Sequence, residues 1–198
     1  EQSMANAASV AMATGDELQA MTDLAREMGA KTVFSASEAA DALYYMASAG
    51  YKLDDMTQSI EATLNLASAT QSDLAFTTDT VVAALNQFQL GAAGAERVAN
   101  LYAAAIGASQ ADMDKLAFSM NYVGPVANSL GWEIEEVVGA LSVLYDAGYD
   151  GSMAGTSLRQ SLVALMNPTS AAQKVFDELG ISLEQLDPTS NDLASILD

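Results

Sequence analysis

Two aspartates four residues apart, the second followed at once by glycine, stand in the stretch "DAGYDGSMAGTSLRQSL" from Asp146 to Leu162. Oxygen ligands at such a spacing, with a glycine for the sharp turn, are how a calcium loop wraps a hard cation. An EF-hand loop needs oxygens at its positions 1, 3 and 5, glycine at 6 and a bidentate glutamate at 12. Counted from Asp146, Asp150 and Gly151 fall at 5 and 6, but Gly148 stands at 3 and Ser157 at 12. Two carboxylates without the bidentate ligand make a poor cation site. The architectural reading is that Gly148 closes one helix, Asp150 and Gly151 form a turn, and Ser152 caps the next helix.

Other residues invite the same scrutiny. Glu133, Glu135 and Glu136 could be a general acid/base group, but they share one helical turn and do not converge across a cleft as a glycosidase pair must. Negative charge in a first helical turn is favoured by the macrodipole. Arg159, one of only seven basic residues, is placed to pair with Asp146 or Asp150 across the corner, or to bind an anion. Ser157 and Ser161 have no base beside them. Cysteine and histidine are both absent. That removes thiolate nucleophiles, His-based triads and nearly every zinc arrangement. The expectation is a non-enzyme with no cofactor and no metal.

The elements that position these residues are helices. In "GWEIEEVVGALSVLYDAG", Ile134, Val137, Val138, Leu141, Leu144 and Tyr145 recur at three- and four-residue steps. Ala40, Leu43, Tyr44 and Ala47 do the same, as do Leu158, Leu162, Leu165 and Met166. Capping-box spacings occur at Thr14 with Glu17 and Ser35 with Glu38, and Ser109 precedes Asp112 in the same relation. Asp54 is a further candidate cap. Gly29, Gly50, Gly91, Gly107, Gly131, Gly148 and Gly180 follow apolar runs as stops, and Pro125 and Pro168 mark breaks. The fold class is therefore all-α: roughly ten short helices, compact, arranged as successive helical hairpins, with no sheet. A weak echo of helix–glycine–helix units starts at Met46, Leu85, Met120 and Leu144, compatible with stacked helical hairpins, but an irregular helical domain with evenly spaced turns explains it better. The ten methionines read as adaptable core packing.

Composition bounds the function. The net charge is −19, from 26 acidic and seven basic residues. Nucleic-acid affinity rests on clustered Lys and Arg, so no nucleic-acid partner is expected, and anionic membrane surfaces would repel the chain. No apolar run reaches the ~18 residues of a membrane span. The chain opens at Glu1 within what reads as helix interior, which suggests a piece of something longer.

Taken in order, "FSASEAADAL…MASAGY", "LNLASAT…DLA", "FQL…ERVAN", "NYVGPVANSLGWEIEEVVGAL", "DAGYDGSMAGTSLRQSLVALMNPT" and "LGI" resemble the core domain of phage tail tape measure proteins of the TP901-1-like group. The resemblance covers about Thr14 to Ile181. It marks Gly124, Pro125, Gly148, Gly151, Ser152, Gly155, Thr156 and Arg159 as the family motif, a candidate interaction site. Glu133 departs from the Ser or Thr common there, and Tyr149 from a smaller aliphatic. The resemblance implies a structural virion protein in the tail lumen, made in the host cytoplasm, that acts in tail assembly, length determination and genome delivery. Its implied partners are the tail tube protein, tail assembly chaperones and the baseplate or tail-tip hub, with several copies per tail. The expected layout is a core helical domain over 1–182, followed by the start of another helical segment at 183–198. Two other readings are a membrane-active helical domain deployed during ejection and a generic helical scaffold. At ~1.5 Å per residue a single helix of this length would span about 300 Å. A compact fold would have a radius of gyration of about 16 Å.

Overall fold

The computed structural model describes residues 1–197; Asp198, the last residue of the expected 183–198 segment, lies outside the described residues. The chain forms two compact units, Glu1–Gly107 and Ala108–Asp198. The first holds α1 (Gln2–Ala11), α2 (Asp16–Lys31), α3 (Ala36–Ser48), α4 (Leu53–Thr70), α5 (Leu74–Gln87), a 3₁₀ turn (Ala92–Gly94) and α6, which runs Ala95–Ala108. The second holds α7 (Met113–Ser129), α8 (Ile134–Asp146), α9 (Gly151–Met166), α10 (Ser170–Leu179) and the short α11 (Leu193–Leu197). Among the described residues there is no strand, and ten helices reach ten residues or more, in line with the all-α expectation.

The start signals were partly right. Ser35 and Glu38 form the capping box: the Ser35 amide donates to Glu38 Oε2 at 2.7 Å, and the Glu38 amide to Ser35 Oγ at 3.3 Å. That pairing draws the Glu38 carboxyl below its usual range. Elsewhere the cap moved. α2 starts behind Gly15 rather than Thr14, and Thr14 serves by its carbonyl, which accepts from the Glu17 amide. α4 starts behind Lys52, whose amide donates to Asp55, so Asp54 lies inside the first turn. α7 is capped by Asp112, with Ser109 turned to the Ala111 amide. At α2 and α7 a carbonyl or carboxylate took the place of the hydroxyl suggested by spacing, and at α4 Asp55 took the place of Asp54.

The stop signals divide by packing. Gly131 and Gly148 take φ of 84° and 91°, where a side chain would be strained. At Gly148 the closing bonds are those of a Schellman motif, Gly148 N–H to the Tyr145 carbonyl at 2.9 Å and Tyr149 N–H to Leu144 at 3.1 Å. Gly29 and Gly107 are not stops; they lie inside α2 and α6. Gly29 is small because the backbone nitrogen of Ala36 would stand 2.6 Å from any β-carbon there. Pro125 also fails as a break. Its exposed ring sits inside α7, between the buried Val123 and Ala127 that hold the helix through it.

In the first unit α3 packs against α1, α2 and α5, and Leu43, Met46, Met56, Ile60, Leu64 and Tyr102 are fully buried. In the second, α7, α8 and α9 pack on one another around Leu116, Ile134, Leu141 and Tyr145. Six methionines are core residues, but Met12, Met153 and Met166 are exposed, contrary to the packing expectation. The expected stripe on α8 is buried apart from the half-buried Leu144; the one on α9 ends early, with Leu165 half-buried and Met166 in solvent. Among the described residues no helix is long and apolar enough to cross a membrane.

Candidate functional site at the glycine corner

The corner between α8 and α9 is held by backbone amides. Asp146 Oδ1 accepts from the Gln110 amide at 2.8 Å, and Asp150 Oδ1 accepts from the Met153 amide at 2.7 Å. Both carboxylates that suggested a cation loop are thus engaged within the protein. Asp150, not Ser152, is the cap of α9, because Gly151 is already its first residue; Ser152 lies exposed one position further in. Among the described residues no group of three or more His, Cys, Asp or Glu side chains is placed to hold a metal. Glu136 accepts from the Glu133 amide at 3.0 Å, a helix-start contact.

Beyond the corner, α9 lies against α7 at backbone distance. A β-carbon on Gly151 would stand 2.8 Å from both Cα and the carbonyl oxygen of Lys115. One on Gly155 would stand 2.5 Å from the Ser119 oxygen and 2.7 Å from its Cα. Gly151 thus meets Lys115 and Gly155 meets Ser119, so the two helices run in the same direction with matching four-residue steps. This small-xxx-small spacing lets backbones approach where any side chain would hold them apart.

A hydrogen-bond relay crosses the contact. Tyr145 of α8 donates to Ser119 Oγ at 2.8 Å, and Ser119 donates to the Gly151 carbonyl at 2.6 Å. The phenol also lies 3.1 Å from the Lys115 carbonyl, but its single hydrogen goes to the shorter bond. Tyr145 is fully buried, and burial, opposed by the Ser119 bond and helped by nearby Asp112, pushes its phenol up to about 12. It is a neutral donor at any physiological pH. Lys115 covers the ring, with Nζ 5.6 Å from the centroid, and also donates to the Gln110 carbonyl. A second anchor is Trp132, whose indole N–H donates to the Pro188 carbonyl at 2.9 Å and ties the C-terminal stretch to the α7–α8 joint.

The motif residues therefore separate. Gly151 and Gly155 build the clasp, Gly148 closes α8 ahead of it, and Thr156 is half-buried beside it. Gly124 is buried and Pro125 exposed on α7, away from the corner in sequence and in role. Arg159 pairs with neither Asp146 nor Asp150; it is exposed and lines a hollow of about 340 Å³ with Val126, Gln160, Val163, Ala164 and Asn167. Sequence reasoning missed Ser119 and Tyr145, the two side chains that complete the clasp. The glycine spacing announced that a backbone would approach, but nothing local named which one. The arrangement presents no nucleophile–base pair; what it does is fix three helices at close range.

The family described as phage-related minor tail protein matches residues 22–198. Over 179 residues, 90% of the chain, the sequence is 37% identical to the tape measure protein of Pneumococcus phage Dp-1, and the match covers 16% of that relative. Over 181 residues, 91% of the chain, it is 30% identical to the probable tape measure protein of Escherichia phage P2, covering 22% of it. The chain thus spans less than a quarter of either relative. No solved structure matches it.

Proposed function

The chain belongs to the phage-related minor tail protein family, and from that premise we propose that it is a folded structural domain of a tail tape measure protein. Two relatives carrying the tape measure name support the role. The observation that refines it is helix length. The longest helix among the described residues, α4, has 18 residues, and the helices fold back into compact units. A ruler needs length per residue, and this stretch gives little. It is a domain carried by the ruler protein, with the core over 1–182 and the stretch from 183 leading into α11, which starts at Leu193.

On this reading the domain resides in the virion tail and meets other tail components, namely the tube protein, the assembly chaperones and the baseplate or tip hub. The motif residues around the glycine corner serve by shaping the surface offered to them. The role is mechanical, in assembly, length determination and passage ahead of the genome, and calls for no catalysis.

In-frame deletion of the domain from the phage gene tests this. Tails should then shorten by far less than the ~300 Å of an extended helix of the same length, or fail to assemble, as seen by electron microscopy. Tails shortened by that full length and otherwise normal would show the segment to be ruler.

A further inference from the structure

Beyond α9 the second unit is built differently from the part that precedes it. Among the described residues after Leu162, Pro188 alone is buried. α10 buries nothing: Ala172, Gln173 and Phe176 are half-buried, and Leu179 is 68% exposed. An amphipathic helix gains its stability mainly by packing its apolar face, and this one packs its face only in part.

The stretch instead satisfies its own backbone. Thr169 caps α10 at the Ala172 amide, and the left-handed Gly180 closes it, with the Ile181 amide on the Phe176 carbonyl at 2.9 Å. Ser182 and Gln185 exchange amide-to-side-chain bonds in both directions. The Asn191 side chain donates to the Glu184 and Asp187 carbonyls, and Asp192 caps α11 at the Ser195 amide. Among the described residues one hydrogen bond leaves the stretch 168–197, from the Trp132 indole to the Pro188 carbonyl, 56 positions apart. Charge supplies no second hold. The stretch has one lysine against five carboxylates, Glu133, Glu135 and Glu136 follow Trp132 within four positions, and among the described residues no ion pair joins the two sides.

We propose that residues 168–197 form a releasable strap, pegged at Trp132 and Pro188, that opens and recloses as one unit while α7, α8 and α9 stay packed. Segments that bury little apolar surface open at a lower free energy than the core they rest on. One neutral hydrogen bond and one buried ring hold the strap. Opening α9 instead requires the core at Leu158 and Leu162, the backbone contact at Gly151 and Gly155, and the Ser119 relay to break together. Load applied at the C-terminal end meets the peg before it meets α9, so the strap yields first and the clasp is spared. Opening also bares the Trp132 ring, 4% exposed when the strap is down. The inference rests on packing and hydrogen bonding and does not depend on the tail role.

The test is hydrogen exchange of the full chain, resolved by segment. In the wild type the amides of 170–196 should be at least about tenfold less protected than those of α7 and α9. Pro188→Ala trims the buried ring and keeps the carbonyl. It should speed exchange severalfold across the whole strap, α10 included, shift Trp132 emission to the red and leave α7 and α9 unchanged. Trp132→Phe keeps an aromatic ring and removes the donor. It should speed the strap roughly tenfold, and more than it speeds α7 and α9. Equal protection of the strap and α9 in the wild type overturns the proposal. So does a strap unmoved by both substitutions, or one that loosens only in step with α7 and α9.

Discussion

Both units bury hydroxyl groups among apolar side chains, and they satisfy them in opposite ways. In the first unit Ser59, Thr63, Thr77, Thr78 and Thr80 each donate to the carbonyl one turn back in their own helix, at 2.7–2.8 Å. Such a bond removes the cost of burial but says nothing about which helix lies next door. In the second unit Ser119 instead reaches from α7 to α9 and receives Tyr145 from α8. That relay is complete only when three helices are in one register. The first unit is thus specified by the volumes of its core residues, the second also by a polar address and a glycine clasp. The second should tolerate less change at its contact and be more nearly unique in geometry.

The sharpest way to break this contrast is to add atoms to the clasp. Gly155→Leu should destabilise the second unit by about 3 kcal/mol or more, since Ser119 backbone blocks even the β-carbon. Gly139 is the control: it lies in α8 with nothing within 4 Å of a β-carbon. Gly139→Ala should stabilise by up to ~1 kcal/mol through helix propensity. Trp132, the one tryptophan of the chain, lies in the second unit, so its emission in urea reports that unit separately. Equal effects at the two glycines would mean that the clasp is absent in solution.

A smaller change compares the two kinds of hydroxyl directly. Ser119→Ala severs the relay and should cost ~1–2 kcal/mol, partly relieved because the Tyr145 phenol can turn to the Lys115 carbonyl. Thr63→Val removes an equally buried hydroxyl whose bond stays within α4, and should change stability by only ~0.5 kcal/mol. Hydrogen exchange resolved by segment separates the two units. A Thr63→Val cost as large as that of Ser119→Ala would erase the distinction.

The same contrast explains what could be read in advance. Helices, their apolar faces and the Ser35–Glu38 box follow from residues within one or two turns, and these came through. Asp150 as the cap of α9 was legible in principle, since a carboxylate just before Gly151 competes with Ser152 one position later; the structure chose the residue that leaves Gly151 inside the helix. Pro125 misled because local propensity is overridden once both flanks are packed, whereas Gly29 and Gly107 misled only in position, each lying within the last turn of its helix. Arg159 misled for an electrostatic reason: its two expected partners are held by backbone amides, which a count of charges does not see. The relay itself was illegible, because Ser119 stands 26 residues from Tyr145 and 32 from Gly151, and periodicity carries no information at that range.

The finest test exploits the phenol. An unfolded tyrosine ionises near ~10, whereas Tyr145 in the fold is pushed up to about 12, chiefly by burial. The folded state therefore holds the proton more tightly than the unfolded one. Its contribution is fully present below pH ~10 and is lost as pH rises from there through the folded value. Tyr145→Phe keeps the ring under Lys115 but has no proton to lose. Near neutral pH it should be less stable than wild type by ~1 kcal/mol for the missing bond. As pH climbs from ~10 toward ~12 the wild type should lose that lead, because only it must ionise on unfolding. Tyr51 in the first unit is also raised, by burial and then by Asp55, so far-UV signals mix two groups, and Trp132 emission is the proper readout. Parallel curves for wild type and variant over that window would mean that the phenol is solvated. The second unit would then be held, like the first, by packing alone.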